Sequence, residues 1–437
     1  MWERRKFLKN SMAMALSGLI TPSIAAKMLD ANQQIGANSK IRIGLSGCRN
    51  MGWSNLEDFL LHPEVDCVAL CDIDVNILNK RASDVLKIRN KKPLLFTDYR
   101  KMLELKDLDA IIIATPDHWH CLQMVDACAA GLDVYVEKPI ANSIAECDLM
   151  VAAATRYNKI VQVGQQQRSG GHWYEMKKFL DSGVLGKIAK VNIWANFDYA
   201  IIPTSRPISF SSLSSVDYDS WLGPAPLRSF NSDRFHGSWR MYWDYGGGLL
   251  TDWGVHLIDM ALWGMDIVSF PKRVFGSGGN YSTLKNRAET FDTLSVIYEY
   301  DNFIIEWSNT SGCEIGPYDK SYGLELRGEN GVLVGNRDNW EVYPFQNRIE
   351  HIKINSDYQD HRKHVSNFLE CISVRKHQTA CTIENGSLCA KYAHIGNISA
   401  RTGETLIYDD IKKSFGNIDA DRLIKPTYRQ PWHLPSL

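Results

Sequence analysis

The stretch Val134-Tyr135-Val136-Glu137-Lys138-Pro139 is a short apolar strand that ends abruptly in a carboxylate, an ammonium group and a proline. It belongs to a series of apolar strands separated by helical stretches. The predicted strands are Ile41–Ser46, Val65–Cys71, Leu94–Phe96, Ala110–Ala114, Val134–Val136 and Ile160–Val163. Strands that alternate with helices predict an α/β domain with a parallel, doubly wound sheet. The carboxyl ends of such strands point into a ligand crevice, so Glu137 and Lys138 are predicted to face a ligand.

The first strand leads into the turn Gly47-Cys48-Arg49-Asn50-Met51-Gly52, which opens a helix. A dinucleotide fingerprint belongs here, because Gly47 permits the tight turn and Gly52 permits close packing of helix on strand. Arg49 stands where the fingerprint has its middle glycine, so its side chain either swings out or pairs with phosphate. Taken alone this motif is weak, and an ordinary strand-helix turn is the alternative.

Two further strand ends support a nucleotide crevice. Asp72 follows the second strand at a spacing that suits a carboxylate accepting from a ribose 2′-hydroxyl, which favours NAD over NADP. The alternative is that Asp72 caps the next helix. The stretch Thr115-Pro116-Asp117-His118-Trp119-His120 follows the fourth strand and is predicted to wall a nicotinamide pocket. Its alternative is a helix start with a first-turn proline and surface histidines.

Length and composition predict a soluble protein of two domains. The 437 residues are too many for one ordinary core, and the hydrophobic content of 44% and charged content of 23% are typical of globular proteins. The net charge is -1 without a basic stripe, so we expect no nucleic-acid partner. The ten cysteines form no C-x-x-C pair, so we expect no metal site.

Residues 1–26 are typical of an export signal. The basic run Arg4-Arg5-Lys6-Phe7-Leu8-Lys9 precedes the apolar run Met12–Ile20 and the small-residue site Ser23-Ile24-Ala25. The paired arginines resemble a twin-arginine signal, which predicts a folded protein exported to the periplasm, and a chance basic N-terminus is the alternative. The apolar run is too short to span a bilayer, and we expect no membrane span elsewhere. Residues 27–39 are predicted to be a polar linker.

Residues 40–164 form the predicted dinucleotide-binding domain. In residues 165–437 the predicted strands and helices no longer alternate regularly. A helix leads into a long strand and an aromatic loop, after which strands dominate. The clearest predicted strands are Ile188–Phe197, Thr293–Tyr300, Phe303–Ser308, Leu324–Arg327 and Val332–Val334. We therefore predict a second α/β domain with a large, open, mostly antiparallel sheet and helices on one face.

Chemistry in the second domain is concentrated in Gly246-Gly247-Gly248-Leu249-Leu250-Thr251-Asp252-Trp253-Gly254-Val255-His256. Asp252 and His256 are four residues apart on a predicted helix, so their side chains share one face. A histidine is the natural group to take a hydroxyl proton as hydride leaves the same carbon. Lys138 would polarise that oxygen, and Asp252 would orient either group. The alternative is a capped helix with a packed histidine.

An aromatic cluster around the same stretch suggests a sugar-binding surface. Trp243 and Tyr245 lie near Arg240 and Asp244, and flat rings beside charged groups suit a pyranose. An aromatic core under a long loop is the alternative interpretation.

Together these motifs resemble the Gfo/Idh/MocA oxidoreductase family. The resemblance rests on the glycine turn, Thr115-Pro116, Glu137-Lys138-Pro139 and Asp252-x-x-x-His256. The stretches Pro116–His120, Gly164–Ser169 and Trp221–Pro224 look like an exported branch found in bacteria that degrade polysaccharides. The resemblance implies a Rossmann domain joined to an open-sheet domain that mediates homodimer or homotetramer formation.

The resemblance also implies roles for individual residues. Lys138, Asp252 and His256 match the family's catalytic trio. The predicted cofactor contacts are Gly47, Arg49, Asn50, Gly52, Asp72, Thr115, Pro116, His120, Glu137, Lys138 and Gln166. The predicted substrate contacts are Arg168, Arg240, Trp243, Asp244 and Tyr245.

The leading functional hypothesis is hydride transfer between a pyranose carbon and a nicotinamide. Because an exported enzyme meets little free NAD, the cofactor is predicted to be tightly bound and recycled in place. One alternative is an NAD-dependent glycosidase or lyase that works through a transient keto-sugar. The other is a non-catalytic sugar-binding protein on the same fold.

Overall fold

The computed structural model describes residues 40–211, 213–282 and 285–437. The predicted export signal at residues 1–26 and the predicted linker at residues 27–39 lie outside this described part. The described residues form two sheets with their flanking helices, one in each predicted domain.

The first sheet, within residues 40–164, has six parallel strands in the order β3-β2-β1-β4-β5-β6. These strands are β1 (Ile41–Ser46), β2 (Val65–Cys71), β3 (Leu94–Phe96), β4 (Ala110–Ile113), β5 (Asp133–Val136) and β6 (Val161–Val163). The predicted doubly wound sheet is therefore confirmed. The chain order reverses between β1 and β4, and a ligand crevice opens outside the carboxyl ends of the strands at such a reversal.

The helices of residues 40–164 cover both faces of this sheet. They are α1 (Asn50–Phe59), α2 (Val75–Arg89), α3 (Tyr99–Leu103), α4 (Asp117–Ala129) and α5 (Ile144–Arg156). Alternate residues of β4 show why the strand is apolar throughout, since Ile111 and Ile113 pack in one buried cluster and Ala110 and Ile112 in another. The carboxylate that caps α2 belongs to Asp74, which accepts from the N–H of Asn76 at 3.1 Å. The N-cap of α2, which is the alternative role predicted for Asp72, is therefore Asp74.

The second sheet has eight strands among the described residues of 165–437, in the order β14-β13-β12-β11-β7-β10-β9-β8. These strands are β7 (Ile188–Ala195), β8 (Arg273–Gly279), β9 (Thr293–Glu299), β10 (Ile304–Thr310), β11 (Tyr322–Gly328), β12 (Gly331–Gly335), β13 (Asn339–Pro344) and β14 (Ile352–Asn355). Neighbours are antiparallel except β7 and β10, which pair in parallel at the centre. A parallel pair needs a long crossover, and the chain between β7 and β10 supplies it.

Helices pack on one side of this sheet, and buried and partly exposed residues alternate along β8, β9 and β10. The α-helices described here are α6 (Gly171–Asp181), α7 (Tyr218–Leu222), α8 (Val255–Gly264), α9 (Asp360–Val374), α10 (Ile383–Thr402) and α11 (Ile418–Asp421). Short 3-10 helices occur at Gln166–Ser169, Asp198–Ala200, Ser238–Met241 and Pro317–Asp319, and a π-helical turn at Leu250–Gly254 precedes α8. Within the described residues, no helix combines the length and apolar character needed to cross a bilayer.

The chain between β7 and the π-helical turn, here called the covering segment (residues 196–211 and 213–249), reaches back to the first domain. The N–H of Val75 donates to Ser215 O at 3.0 Å, and the N–H of Asp217 donates to Ile73 O at 3.2 Å. A ring nitrogen of His236 lies 3.0 Å from the Asp74 carboxylate. The two domains are therefore tied together beside the carboxyl end of β2.

Candidate active site

Two adjoining cavities occupy the crevice at the carboxyl ends of β1, β2, β4 and β5. The first has a volume of about 360 Å³, and the second, nearer the second sheet, about 380 Å³. They share four lining residues, Met51, Ala114, Thr115 and Arg240. The two cavities therefore adjoin, and together they are called the trench. Its shape suits an elongated ligand in one cavity and a second molecule in the other.

The glycine turn forms the floor of the first cavity. Gly47 has a φ of +86°, and a Cβ on Gly52 would lie 1.9 Å from the Gly47 carbonyl oxygen, so both positions require glycine. Arg49 is the N-cap of α1 but makes no capping hydrogen bond with its side chain. The N–H groups of the first turn of α1 are therefore open to an anion, and the Arg49 side chain lines the same cavity.

Asp72 lies in the first cavity at the end of β2. Its carboxylate accepts from the N–H of Cys48 at 2.7 Å and from the N–H of Asp74 at 2.9 Å. Burial raises the pKa of Asp72, and these two backbone donors oppose that shift. Each oxygen keeps a second lone pair, so the carboxylate can also accept from a ligand hydroxyl.

The roof of the first cavity comes from the second domain and the C-terminal tail. Trp221, Trp239 and His236 of the covering segment line it, together with Trp432 of the tail. Trp432 packs edge-on against Trp119, with ring centres 5.0 Å apart. A ligand in the first cavity would therefore contact side chains of both domains.

Lys138 and Asp252 meet at the second cavity, although they come from different domains. The Lys138 ammonium donates to Asp252 Oδ1 at 2.7 Å and to the Asp252 carbonyl oxygen at 2.8 Å. Tyr199 donates its hydroxyl to Asp252 Oδ2 at 2.7 Å, and Arg240 Nε lies 3.2 Å from Oδ1. Burial alone would raise the pKa of Asp252, but Lys138 and Arg240 hold it well below its ordinary value. Asp252 is thus an anion that fixes the ammonium in place.

His256 lines the second cavity with Lys138. The His256 ring is buried, and its Nδ1 has no hydrogen-bond partner among the described residues. Burial, followed by the positive charges of Arg337 and Lys138, lowers the pKa of His256 well below its ordinary value. The imidazole is therefore neutral at physiological pH and able to accept a proton.

Glu137 supports the second cavity. Its Oε1 accepts from Asn55 Nδ2 at 2.8 Å and from Gln166 Nε2 at 3.3 Å. A Cβ on Gly164 would lie 2.6 Å from the same oxygen. The chain at the end of β6 can therefore lie this close to the Glu137 carboxylate only because position 164 is glycine. The carboxylate is satisfied by neutral donors and positions the loop that carries Lys138.

Thr115 and His120 line the wall beside this loop. Thr115 Oγ1 is buried in the crevice and has no partner among the described residues. The two ring nitrogens of His120 lie 2.8 Å from Pro139 O and 2.7 Å from Thr115 O. Burial lowers the pKa of His120 to about 4, against the raising effect of these carbonyl groups. His120 therefore ties the wall to the Lys138 loop.

The structure brings most of the sequence-predicted residues to the trench. The first cavity is lined by Gly47, Arg49, Asn50, Asp72, Thr115, Pro116 and Arg240. The second is lined by Thr115, His120, Glu137, Lys138, Gln166, Arg240 and His256, with Asp252 bonded to Lys138. Gly52 lies under the turn and lines neither cavity.

Four predicted substrate contacts lie outside both cavities. Arg168 is committed to a buried ion pair, in which its Nε donates to Asp259 Oδ2 at 2.8 Å. Tyr245 is fully buried against Trp221, Asp244 pairs with Arg228, and Trp243 packs on Phe291. The aromatic cluster is therefore largely core, the alternative interpretation of that stretch, and the geometry does not support substrate contact for these four residues.

The cavities also contain polar residues that the sequence motifs do not identify as ligands. Arg337, Asp117 and Tyr358 line the second cavity. Asp117 belongs to a recognised stretch, but Arg337 and Tyr358 come from turns after the second sheet's strands. Their only sequence signal is a charged or aromatic residue in a short Asn- and Asp-rich turn, which is common on protein surfaces.

Curated relatives match part of the chain. The alpha-N-acetylgalactosaminidase of Shewanella oneidensis is 27% identical over 202 residues, which cover 42% of this chain and 44% of that protein. The chain therefore spans less than half the length of the curated relatives it matches.

Two solved structures share the fold over most of the chain. The WlbA dehydrogenase from Bordetella pertussis, in complex with NADH and UDP-GlcNAcA, has a TM-score of 0.62 at 21% identity and covers 85% of this chain and 100% of that one. The aldose-aldose oxidoreductase from Caulobacter crescentus, complexed with glycerol, has a TM-score of 0.64 at 16% identity and covers 84% and 99%.

Family models match both domains. Residues 41–165 match the oxidoreductase family, NAD-binding Rossmann fold, and residues 170–268 and 329–434 match the oxidoreductase family, C-terminal alpha/beta domain. Residues 223–334 also match the GFO/IDH/MocA C-terminal domain. Both halves of the trench thus lie within matched residues, and the chain belongs to the Gfo/Idh/MocA oxidoreductase family.

Proposed function

We propose that this protein is an NAD-dependent oxidoreductase that transfers hydride between a sugar carbon and a tightly bound nicotinamide. The observation that carries the proposal is the meeting of Lys138 and His256 in one cavity that continues into the nucleotide-like crevice. An ammonium held by Asp252 and a neutral imidazole, facing one volume of about 380 Å³, suit the oxidation of a secondary alcohol.

The residues of the first cavity fit a dinucleotide. The open N–H groups at the start of α1 and the Arg49 side chain would hold its pyrophosphate. Asp72 would accept from a ribose 2′-hydroxyl, which supports NAD rather than NADP. Thr115, whose hydroxyl has no partner among the described residues, lies where the two cavities meet, and the nicotinamide end would enter there. A bound nicotinamide supplies reversible uptake of hydride at a ring carbon.

Lys138 and His256 would divide the proton chemistry. As a hydroxyl-bearing carbon loses hydride, His256 accepts the hydroxyl proton, because its imidazole is buried and neutral. Lys138 donates a hydrogen bond to the same oxygen and stabilises its developing negative charge. Asp252 orients the ammonium through the 2.7 Å contact and keeps it aimed into the cavity. In the reverse direction, the same groups return the proton and release the alcohol.

Tight retention of the cofactor is supported by the roof over the first cavity. Trp221, Trp239 and His236 would contact a dinucleotide bound there and slow its release. An enzyme that keeps its cofactor needs a closed redox cycle, in which one sugar is oxidised and another is reduced. This cycle suits the periplasmic location proposed from the paired arginines at residues 4 and 5, because free NAD is scarce outside the cytosol.

A redox-neutral glycosidase is the second candidate, and the Shewanella oneidensis alpha-N-acetylgalactosaminidase favours it. The same lysine and histidine would support transient oxidation that acidifies a neighbouring C–H bond and permits cleavage. Aryl glycosides separate the two functions. Release of the phenol without net nucleotide reduction supports cleavage, and a keto-glycoside with reduced nucleotide supports dehydrogenation.

The proposed function is tested first by denaturing purified protein and identifying any released nucleotide by mass spectrometry. We expect near-stoichiometric NAD, and NADP in its place would contradict the role given to Asp72. Sugars should then change the near-ultraviolet absorbance of the bound nicotinamide. Protein that carries no nucleotide and gains no activity from added NAD would support the non-catalytic sugar-binding alternative.

An oligomer through the second sheet completes the proposal. Phe275, Tyr343 and Phe345 are exposed on or beside the strands, at 48%, 39% and 51% of their full surface. Burial of such side chains between copies would stabilise a homodimer or homotetramer. Light scattering coupled to size exclusion measures the mass, and a monomer at micromolar concentration would contradict this part.

A further inference from the structure

Among the residues that the structure describes, one guanidinium lines the second cavity without an ion-pair partner. Arg337 lines that cavity with His256 and Lys138. Its Nε donates to Gln167 Oε1 at 3.0 Å, and the guanidinium lies over the Trp253 ring, 4.5 Å from the ring centre. Its two terminal nitrogens make no hydrogen bond or ion pair with the residues at 40–211, 213–282 and 285–437. Both are therefore available to a ligand.

The turn between β12 and β13 fixes Arg337 at this place. Asn336 Oδ1 accepts from the N–H of Asp338 at 3.0 Å and from the N–H of Asn339 at 3.2 Å. The backbone N–H of Asn336 also donates to Asn339 O at 2.9 Å, and the Asn336 side chain is buried. These bonds close a tight turn with Arg337 at its tip. The guanidinium is thus presented by a preorganised element.

Charge pairing distinguishes Arg337 from the other cations of the cavity. Lys138 and Arg240 both pair with Asp252, whereas no carboxylate of the described residues lies within 4.0 Å of Arg337. Burial lowers the pKa of Arg337, and the more distant negative charges of Asp360, Asp252 and Glu137 offset that loss only in part. An anion brought by a ligand would offset this cost.

The phosphates of a dinucleotide are unsuited to be that anion. The turn that would hold pyrophosphate begins at Gly47 and lines the first cavity, and Arg337 lines only the second. Arg337 instead shares its volume with the two groups that would act on the substrate.

We propose that Arg337 binds a carboxylate of the substrate, so that the enzyme acts on a sugar acid such as a hexuronic acid. This inference rests on the proposed oxidoreductase function and specifies its substrate class. The fork of two terminal nitrogens matches the two oxygens of a carboxylate. Asp117 and Asp360 line the same cavity, so a singly charged carboxylate meets less repulsion there than a doubly charged phosphate ester would.

The test compares acids with their matched neutral sugars on the purified protein with its nucleotide. Isothermal titration with D-glucuronate, D-glucose, D-galacturonate and D-galactose gives the acid-to-neutral affinity ratio. We expect at least one uronate to bind about tenfold or more tighter than its hexose, as a charge-assisted pair predicts. Arg337→Gln should lower that ratio to about one without weakening the hexose, and Arg337→Lys should retain part of it.

Arg422→Gln is the matched control, because Arg422 is 71% exposed and lies in neither cavity. Its ratio should equal that of the parent protein, and circular dichroism melting checks the folding of each variant. If Arg337→Gln fails to fold, Arg337→Lys carries the test, because loss of the fork should still lower the ratio.

Three outcomes would overturn the inference. They are a parent protein in which no uronate binds tighter than its hexose, a ratio unchanged by Arg337 substitution, and tighter binding of glucose 6-phosphate than of glucuronate. If neutral sugars still reduce the bound nucleotide under those outcomes, the oxidoreductase proposal stands and only the substrate class is wrong.

Discussion

Lys138 and His256 acquire different chemistry from their immediate partners. Asp252 bonds the Lys138 ammonium at 2.7 Å, so this side chain is a fixed cationic donor. His256 has no carboxylate partner in the structure's described part, and burial beside Arg337 keeps its ring neutral. One group is therefore suited to stabilise negative charge and the other to accept a proton.

Removal of the ammonium should abolish most turnover while the nucleotide stays bound. We expect Lys138→Ala to lower kcat by about 100-fold or more, because the alkoxide loses its charged donor. Sugar-dependent reduction of the bound nicotinamide measures the rate, and mass spectrometry measures nucleotide content. Lys178→Ala, at a side chain that is 72% exposed, should match the parent. Unchanged turnover in Lys138→Ala would contradict the role of Lys138 in stabilising the alkoxide.

The pH profile should report the environment of His256. A base loses activity when it is protonated, so a lowered pKa moves the acidic limb of kcat/KM to lower pH. We expect this limb well below pH 6.5, the ordinary value for histidine. Arg337→Gln should move the limb upwards, because it removes a positive charge that lowers the pKa. An acidic limb at or above pH 6.5 in the parent would contradict the neutral imidazole.

Residues adjacent to a predicted strand end were predictable, and residues brought in by tertiary packing were not. Lys138 follows directly from β5, and the spacing of Asp252 and His256 placed them near one another. Arg337 enters the cavity only because the second sheet directs one hairpin turn towards it. Tyr245 is the converse case, because it was predicted to contact substrate but is buried in the core. An aromatic residue beside charged groups looks the same in sequence in both situations.

At the scale of elements, the junction of β1, its turn and α1 is the most sterically constrained. The turn places the Gly47 carbonyl against α1, where only a hydrogen at position 52 fits. The strand-helix rhythm predicted this junction, because its glycines are local to the elements they join. The parallel pairing of β7 with β10 was not predictable, because the two strands are far apart in the sequence and neither strand's pattern specifies its partner. The π-helical turn at Leu250–Gly254 likewise carries no distinct pattern in the sequence.

A methyl group at position 52 should therefore disrupt the first cavity. We expect Gly52→Ala to cost about 2 kcal/mol or more of folding free energy and to deplete the bound nucleotide, because α1 must move away from β1. Thermal melting and released nucleotide are the two measurements. Gly171→Ala is the control, since its added Cβ would meet only ordinary contacts at 3.5 Å and beyond. Full nucleotide content in Gly52→Ala would contradict the role of this junction.

Across the whole molecule, the first cavity is lined by parts that are distant in sequence. The covering segment contributes Trp221 and Trp239, and the tail contributes Trp432. Arg429 anchors the tail by donating to Gly223 O at 2.7 Å. The lengths and compositions of these segments gave no indication that they would meet over the nucleotide crevice.

Opening the roof should speed the loss of nucleotide without removing the tail. We expect Trp432→Ala to lose bound nucleotide about tenfold faster during dialysis, because the edge contact with Trp119 disappears while the Arg429 anchor remains. His433→Ala alters the exposed neighbouring residue and should match the parent. Equal rates of loss in both variants would show that the tail does not retain the nucleotide.

The hydrogen bonds that join Ile73 and Val75 to the covering segment lie immediately after the carboxylate proposed to hold the ribose. If one domain moved away from the other, these hydrogen bonds would have to break. Because Ile73 is adjacent to Asp72 in the chain, the movement would displace the Asp72 carboxylate as well. Separation of the two domains would therefore also disturb the proposed ribose contact, so release of the cofactor would be coupled to this motion in addition to any opening at the tail.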